Sequence, residues 1–470
     1  MTARPLFIGG TSSNAGKSWM ATAICAWLRS RGVSVAPFKA QNMSNNSYPC
    51  RSGGEIGRAQ VAQAEACGLE PEPSMNPILL KPSGNGTSQV VVNGRMWKTL
   101  SARDYYAHAS ELRAHVLQAY EDLSSRFEAI VIEGAGSVSE LNLRDHDLVN
   151  LGLVTRIRAP WLLVADIERG GVFGSVVGTV HLLSDDERSL FRGFAINKFR
   201  GDRSLFDEGV QMLEDRTSSV CFGVFPHAEN MHLDAEDSLA LRTGPSTPSP
   251  PSARLAIIRF PHVSNATDFR LLTWADWITG PRPGRYDFII LPGTKNTIAD
   301  LLWLREMGLA DWIRSQHVAG STVIGVCGGY QMLGRSLRDP SGIESPIRDA
   351  AGVGLIQATT ELTREKRTRA VTATTPRGVT FGGYEIHLGV TSLDSDDEIM
   401  PFSRLEDGSV DGVRATGVIG TYLHGAFEDP AVCAEVFGVD APRVISKAAQ
   451  YQRLGEWFAQ HARHLDVLGL

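Results

Sequence analysis

Apolar residues recur along this chain in short runs that end in glycine or a polar side chain, and these runs alternate with stretches of helical spacing. Leu6-Phe7-Ile8 leads into Gly9-Gly10-Thr11-Ser12-Ser13-Asn14-Ala15-Gly16-Lys17-Ser18. Met20, Ile24, Trp27 and Leu28 then fall at helical intervals, with Gly32 where such a helix should stop, so the order is strand, loop, helix. The run 33–38 predicts a second strand ending at Lys39, and the alanines and glutamines of 54–66 favour a helix. Runs 75–83 and 88–94 predict short strands around a glycine-rich loop. Further strands are expected at 128–133, 161–166, 193–199 and 220–225. Buried strands alternating with helices predict an open parallel sheet.

The rhythm breaks at 241–254, where Pro245, Pro248, Pro250 and Pro251 are interleaved with Ser and Thr. Such a stretch reads as an extended connector. The expected organisation is a first domain over 1–240, a linker over 241–253, a second domain over 254–440 and a C-terminal helical segment over 441–470. Beyond the linker, runs at 255–258, 286–293 and 321–327 restart the α/β pattern. The fold class is therefore α/β, a parallel-sheet domain followed by a second α/β domain.

With 470 residues, more than one domain is expected. The formal net charge of −6 gives no general attraction to nucleic acid or to an anionic membrane, so an anionic ligand must be held by local sites. No apolar run reaches membrane-spanning length and none near the start reads as a cleavable leader, which predicts a cytoplasmic protein. The six cysteines are scattered with no C-x-x-C pair, which argues against a zinc site and a disulfide framework and suits a reducing compartment.

A glycine-rich turn between strand and helix, closed by Lys17-Ser18, is suited to polyphosphate. Backbone N–H groups of the loop point at phosphate oxygens, Lys17 bridges the terminal phosphates and Ser18 ligates Mg²⁺. The common spacing would put the first glycine at position 11, but Thr11 stands there and Gly10 comes one residue earlier. The pattern G-T-x-x-x-x-G-K-S is similar to the loop of dethiobiotin synthetase and its relatives, which activate carboxylates with ATP. Gly10, Thr11, Asn14, Gly16, Lys17 and Ser18 are thus expected to bind the nucleotide. Lys39, at a strand's carboxyl end, is a candidate second phosphate contact, against a solvated loop lysine. Glu133 is expected to complete the Mg²⁺ shell, with Asp166 at a similar strand end as its rival. Asn197 is a candidate contact to the adenine edge, or a turn former.

In the second domain, Gly325-Val326-Cys327-Gly328-Gly329 follows an apolar strand and precedes a helical pattern. This is a G-x-nucleophile-x-G elbow with sulfur in place of oxygen, placing the thiol over a helix N-terminus. The N–H of Gly328 is one expected oxyanion donor and that of Gly293 the other. His424, at the end of the run 418–424, is the expected base, and His387 its competitor.

Together these residues resemble the cobyric acid synthase family, glutamine-dependent amidases of cobalamin biosynthesis. The likeness runs over nearly the whole chain. It is carried by the loop, by Pro37-Phe38-Lys39-Ala40-Gln41-Asn42-Met43, segment 75–83, Val131-Ile132-Glu133-Gly134-Ala135-Gly136-Ser137, Asn142-Leu143-Arg144-Asp145, Ala165-Asp166-Ile167, Ile196-Asn197-Lys198-Phe199-Arg200-Gly201-Asp202, the Cys327 elbow, Gly383-Tyr384-Glu385-Ile386-His387 and Gly420-Thr421-Tyr422-Leu423-His424-Gly425. The resemblance implies a P-loop synthetase domain followed by a flavodoxin-like α/β domain of the class I amidotransferase type. It also implies ATP and Mg²⁺ as cofactors, and L-glutamine and a corrinoid as substrates. The reaction it implies is amidation of the b, d, e and g carboxylates of adenosylcobyrinic acid a,c-diamide.

Most class I amidotransferases carry a glutamate two residues after the histidine, where this chain has Ala426. The expectation is a Cys-His pair whose histidine is oriented by another group. Two other readings compete. One is cobyrinic acid a,c-diamide synthase, with the same chemistry on other carboxylates. The other is a regulatory partitioning-type ATPase with an inert second domain, disfavoured because the signature lysine of that class would stand where this chain has Ser12.

Overall fold

The computed structural model describes residues 3–44, 46–84, 86–228, 231, 253–394, 400–438 and 447–469. The predicted connector 241–253 falls outside them apart from residue 253. The chain forms two compact units. One comprises Met1–Ser44, Cys50–Glu236 and Ile445–Leu470, the other Asn45–Pro49 and Asp237–Val444.

The first unit is built on six strands in the order Val220–Pro226, Phe191–Phe199, Trp161–Asp166, Arg4–Gly10, Ala129–Glu133, Val35–Phe38. Every neighbouring pair is parallel. Strands buried on both faces need apolar residues at successive positions, and Leu6-Phe7-Ile8 divides accordingly: Leu6 and Ile8 enter one apolar cluster, Phe7 the other. Parallel strands end their carboxyl termini on one edge. That edge carries the loop after Gly10, Glu133, Asp166 and Asn197. Beside this sheet, strands Gln41–Met43, Ile78–Gly84, Thr87–Val92 and Arg95–Ser101 form a smaller one.

The helix Lys447–His461, from the far end of the chain, completes the first unit. Phe458 packs on Trp27 at 5.4 Å and stacks on Phe225 at 5.8 Å, while Trp457 meets Trp19 edge-on at 6.0 Å. Tyr451 Oη donates to Glu65 Oε2 at 2.6 Å, which fixes the helix axially where ring packing alone would let it slide.

The second unit has strands in the order Asp276–Ile278, Leu255–Ile258, Phe288–Leu291, Thr322–Val326, Val418–Thr421, Val413–Ala415. Only the last pair is antiparallel. A long hairpin, Ala358–Thr374 with Thr380–Leu393, forms a further sheet. Among the described residues no helix is long and apolar enough to cross a membrane.

Because Phe458 is fully enclosed, Phe458→Ala removes a ring without a replacement contact. The variant should lose about 3–5 kcal/mol in chemical denaturation followed through the first unit's tryptophans.

Candidate active site

In the first unit the loop takes its shape from two backbone constraints. Thr11 N–H still donates to Val164 O at 3.0 Å, so the chain stays extended one residue past the strand. At Gly10 an added Cβ would lie 2.9 Å from Lys17 Cδ, so the glycine leaves room for the lysine to fold back along the loop. That accounts for the shifted glycine: it is required where the lysine side chain lies. Gly16 turns into the helix Lys17–Ser30 with φ 101°, a conformation that favours glycine. A Cβ there would also strike Asn197 Nδ2.

Lys17 Nζ donates to Ser12 O at 3.0 Å and Gly136 O at 2.7 Å, which poises its charge over the loop. Ser18 Oγ donates to Glu133 Oε1 at 2.7 Å. Lys39 Nζ is paired with the same oxygen at 2.9 Å, with both groups buried. Gln63 Nε2 donates to the other oxygen, Glu133 Oε2, at 2.5 Å. Burial alone would raise the Glu133 pKa. The Lys39 charge and the donors from Lys39, Ser18 and Gln63 outweigh burial and hold the carboxyl below its ordinary value.

Ser18 and Glu133 therefore present hard oxygens to one point. Such a pair fits Mg²⁺, which uses one or two protein ligands and takes phosphate and water oxygens for the rest. Asp166 is otherwise engaged, its Oδ2 with Lys198 Nζ at 2.8 Å and its Oδ1 with Glu168 N–H at 2.8 Å. Asn197 Nδ2 donates to Ala15 O at 3.0 Å and Lys198 Nζ to Asn14 O at 2.7 Å. Both residues at that strand end thus brace the loop, with the second N–H and the oxygen of the Asn197 amide still available to a ligand.

In the second unit, Cys327 stands at the junction of strand Thr322–Val326 and helix Gly328–Leu333 with φ 51° and ψ −110°. A non-glycine residue there holds on the order of 1–3 kcal/mol of backbone strain. Its neighbours explain how the turn closes. A Cβ at Gly329 would fall 1.9 Å from Leu291 O, and one at Gly328 2.6 Å from Thr294 Cγ2. A Cβ at Gly293 would lie 2.9 Å from His424 Cε1. Cys327, Gly328, Gly293 and His424 are therefore brought together.

The imidazole of His424 is held from one side by a residue that sequence reasoning did not single out. His424 Nδ1 pairs with Asp268 Oδ2 at 2.6 Å, and Gly425 N–H donates to Asp268 Oδ1 at 2.9 Å. With Nδ1 occupied, Nε2 is left for the thiol, whose charge acts on the imidazole, while Cys327 Sγ itself donates to Ile386 O at 3.8 Å. Burial would push the imidazolium down, but the charges of Asp268 and then of Cys327 outweigh it, and His424 is pushed up to about 10. The thiol is buried at 6% exposure, yet it has the imidazole as neighbour. His387 lies within the strand Thr380–Leu393, its Nδ1 donating to Gly389 O at 3.1 Å and its ring stacked on Tyr422 at 3.9 Å.

Asp268 lies in the short turn Ala266–Phe269, a stretch with neither helical nor strand periodicity. A carboxylate recruited from so far along the chain leaves no spacing to read. Gln63 carries a fainter signal, because Gln60 and Gln63 stand three apart on the helix Arg58–Cys67 and present amides on one face.

Removing the Asp268 charge should release the imidazolium. In Asp268→Asn the His424 pKa, followed by NMR of labelled histidine, should fall from about 10 by about one to three units. Because the folded-state value exceeds the ordinary 6.5, this pair stabilises the fold fully below pH 6.5 and loses its contribution as pH rises through about 10. In the variant that loss should begin at lower pH.

The order of the two centres has counterparts in known families. Residues 6–239 match the CobQ/CobB/MinD/ParA nucleotide binding domain, and residues 254–432 match the CobB/CobQ-like glutamine amidotransferase domain. The chain is 44% identical to the cobyric acid synthase of Syntrophobacter fumaroxidans, over 91% of this chain and 88% of that one. It is 43% identical to that of Parabacteroides distasonis over 97% of each, and 41% identical to that of Limosilactobacillus reuteri strain DSM 20016 over 98% of this chain and 97% of that one. Likeness of this degree along nearly the full length of both partners, with the two domain types in the same order, makes the chain a member of the cobyric acid synthase family, glutamine-dependent amide ligases of cobalamin biosynthesis.

Proposed function

We infer that this protein uses ATP and glutamine to amidate the b, d, e and g carboxylates of adenosylcobyrinic acid a,c-diamide in the cytoplasm. The observation that carries the reading is His424 set between the Cys327 thiol and the Asp268 carboxylate, in a chain whose other unit holds Lys17 over a nucleotide loop.

A carboxylate resists amines because its carbon is electron-rich and oxide does not leave. Transfer of the ATP γ-phosphoryl group to the corrinoid carboxylate meets both difficulties, giving an acyl phosphate whose phosphate departs readily. Lys17 and the N–H groups of Gly10, Asn14 and Gly16 offset charge building on the phosphates, and Thr11, whose N–H stays on Val164 O, offers its hydroxyl. Ser18 and Glu133 would hold Mg²⁺, which neutralises phosphate charge and fixes its oxygens. Lys39 stays against Glu133 and keeps that carboxyl ionised for the metal.

In the second centre the Cys327 thiol passes its proton to His424 Nε2 as the sulfur attacks the side-chain amide carbon of glutamine. The N–H groups of Gly328 and Gly293 receive the oxyanion. His424 gives its Nε2 proton to the nitrogen as the C–N bond breaks, releasing ammonia, and then draws a proton from the water that hydrolyses the thioester to glutamate. Asp268 keeps the imidazole in the tautomer and orientation that both steps need. Ammonia attacks the acyl phosphate carbon and expels phosphate, leaving the amide.

Two substitutions separate the centres. Cys327→Ala should abolish glutamine-driven amidation while sparing turnover with added ammonia. Lys17→Ala should lose both, by about a hundredfold or more. Mass spectrometry of the corrinoid product counts amides: four additions on the a,c-diamide support the reading, whereas amidation at a and c alone assigns the chain to the other corrinoid amidation. Loss of both activities in Cys327→Ala would show that the centres do not act separately.

A further inference from the structure

The second unit includes five residues that the sequence places inside the first. Segment Asn45–Pro49 belongs to it, although the chain on either side, up to Ser44 and from Cys50, belongs to the nucleotide-binding unit. Its strand Ser47–Pro49 lies against the hairpin formed by Ala358–Thr374 and Thr380–Leu393. Two of its side chains reach the two supports of His424.

The first support is the turn that carries Asp268. Asn46 Oδ1 accepts from Asn265 N–H at 3.0 Å, with both residues buried. Asn265 caps that turn in the left-handed region, φ 53°, and its carbonyl accepts from Asp268 N–H at 3.0 Å. A left-handed non-glycine residue holds its conformation only where its surroundings fix it. Without the Asn46 oxygen, a buried N–H is left unpaired at the residue that sets the direction of the turn.

The second support is a ring. Tyr384 stacks on His424 with centroids 5.2 Å apart and planes at 23°. The same residues exchange backbone hydrogen bonds, Tyr384 N–H to His424 O at 3.0 Å and His424 N–H to Tyr384 O at 2.9 Å. Tyr48 packs on the Tyr384 ring at 4.9 Å and 59°. One segment therefore touches both the mount of the carboxylate that aims the imidazole and the ring that flanks it.

We propose that Asn46 and Tyr48 are positioning residues of the ammonia-generating centre, fixing His424 through Asp268 and Tyr384 and making its alignment depend on a segment tethered at both ends to the nucleotide-binding unit. The inference rests on the assignment of Cys327 and His424 as glutamine-cleaving groups. Neither proposed residue is assigned a bond-making or proton-transferring role. Each acts by sub-ångström placement of the imidazole, to which proton transfer is steeply sensitive. Along the chain the segment follows closely on Lys39 and Gln41–Met43.

The test uses the full-length enzyme, with amidation measured separately on glutamine and on added ammonia. Tyr48→Ala and Asn46→Ala should each lower the glutamine-driven kcat by on the order of tenfold or more, with the KM for glutamine little changed. Ammonia-driven turnover should stay within about twofold of the parent, which a general loss of folding would not allow. Tyr48→Phe, which keeps the ring, should restore the glutamine-driven rate. Parent-like glutamine use in both alanine variants overturns the proposal, as does an equal fall with both nitrogen donors. Glutamine-driven turnover that survives Cys327→Ala would sink the underlying assignment and this inference with it, whereas a dead Cys327→Ala beside unaffected Tyr48→Ala and Asn46→Ala sinks this inference alone.

Discussion

An imidazole and a carboxylate, each all but removed from water, meet at 2.6 Å in the second unit, and the geometry of that centre follows from their pairing. A lone carboxylate buried to the depth of Asp268 would be costly, and so would an imidazolium beside a thiol without its counter-charge. Together they fix the ring, its tautomer and its charge. The backbone is arranged to keep the pair: Gly425 N–H takes the second carboxylate oxygen, and Tyr384 covers the ring face. The strain at Cys327 follows from the same constraint, because only a sharp turn off the strand end sets the sulfur beside an imidazole whose position is already fixed.

The first unit solves a related problem with the signs reversed. Glu133 is the fixed anion, and Lys39, Ser18 and Gln63 neutralise and hydrogen-bond it from three directions. Both units use the carboxyl edge of a parallel sheet, where successive strands end side by side and their last side chains converge. Adjacent strands deliver Glu133 next to the loop after Gly10 in one unit, and Cys327 next to the segment that leads to His424 in the other. The topology thus gathers residues that are far apart in sequence, and local chemistry then decides what each cluster can do.

What was legible in the sequence is what local pattern encodes. The strand, loop and helix around Lys17, the elbow at Cys327 and the strand ends at Glu133 and His424 each announce themselves by glycines and apolar runs at fixed spacing. Asp268 did not, because it sits in a turn without periodicity and acts on a residue from a distant part of the chain. The return of the helix Lys447–His461 to the first unit was equally hidden: its amphipathic face predicts burial but not the partner. Membership of segment 45–49 in the second unit is likewise a tertiary fact, since nothing in Asn-Asn-Ser-Tyr-Pro marks it as leaving its surroundings.

The Lys39–Glu133 pair bears on how the nucleotide centre responds when loaded. Glu133 Oε1 already accepts from both Ser18 and Lys39, so a cation drawn to Ser18 and Glu133 must replace the hydroxyl's proton at that oxygen and share the carboxylate with the ammonium. Two cations around one carboxylate repel, and arriving phosphates are what relieves them. Nucleotide and metal are therefore expected to bind together more readily than either alone.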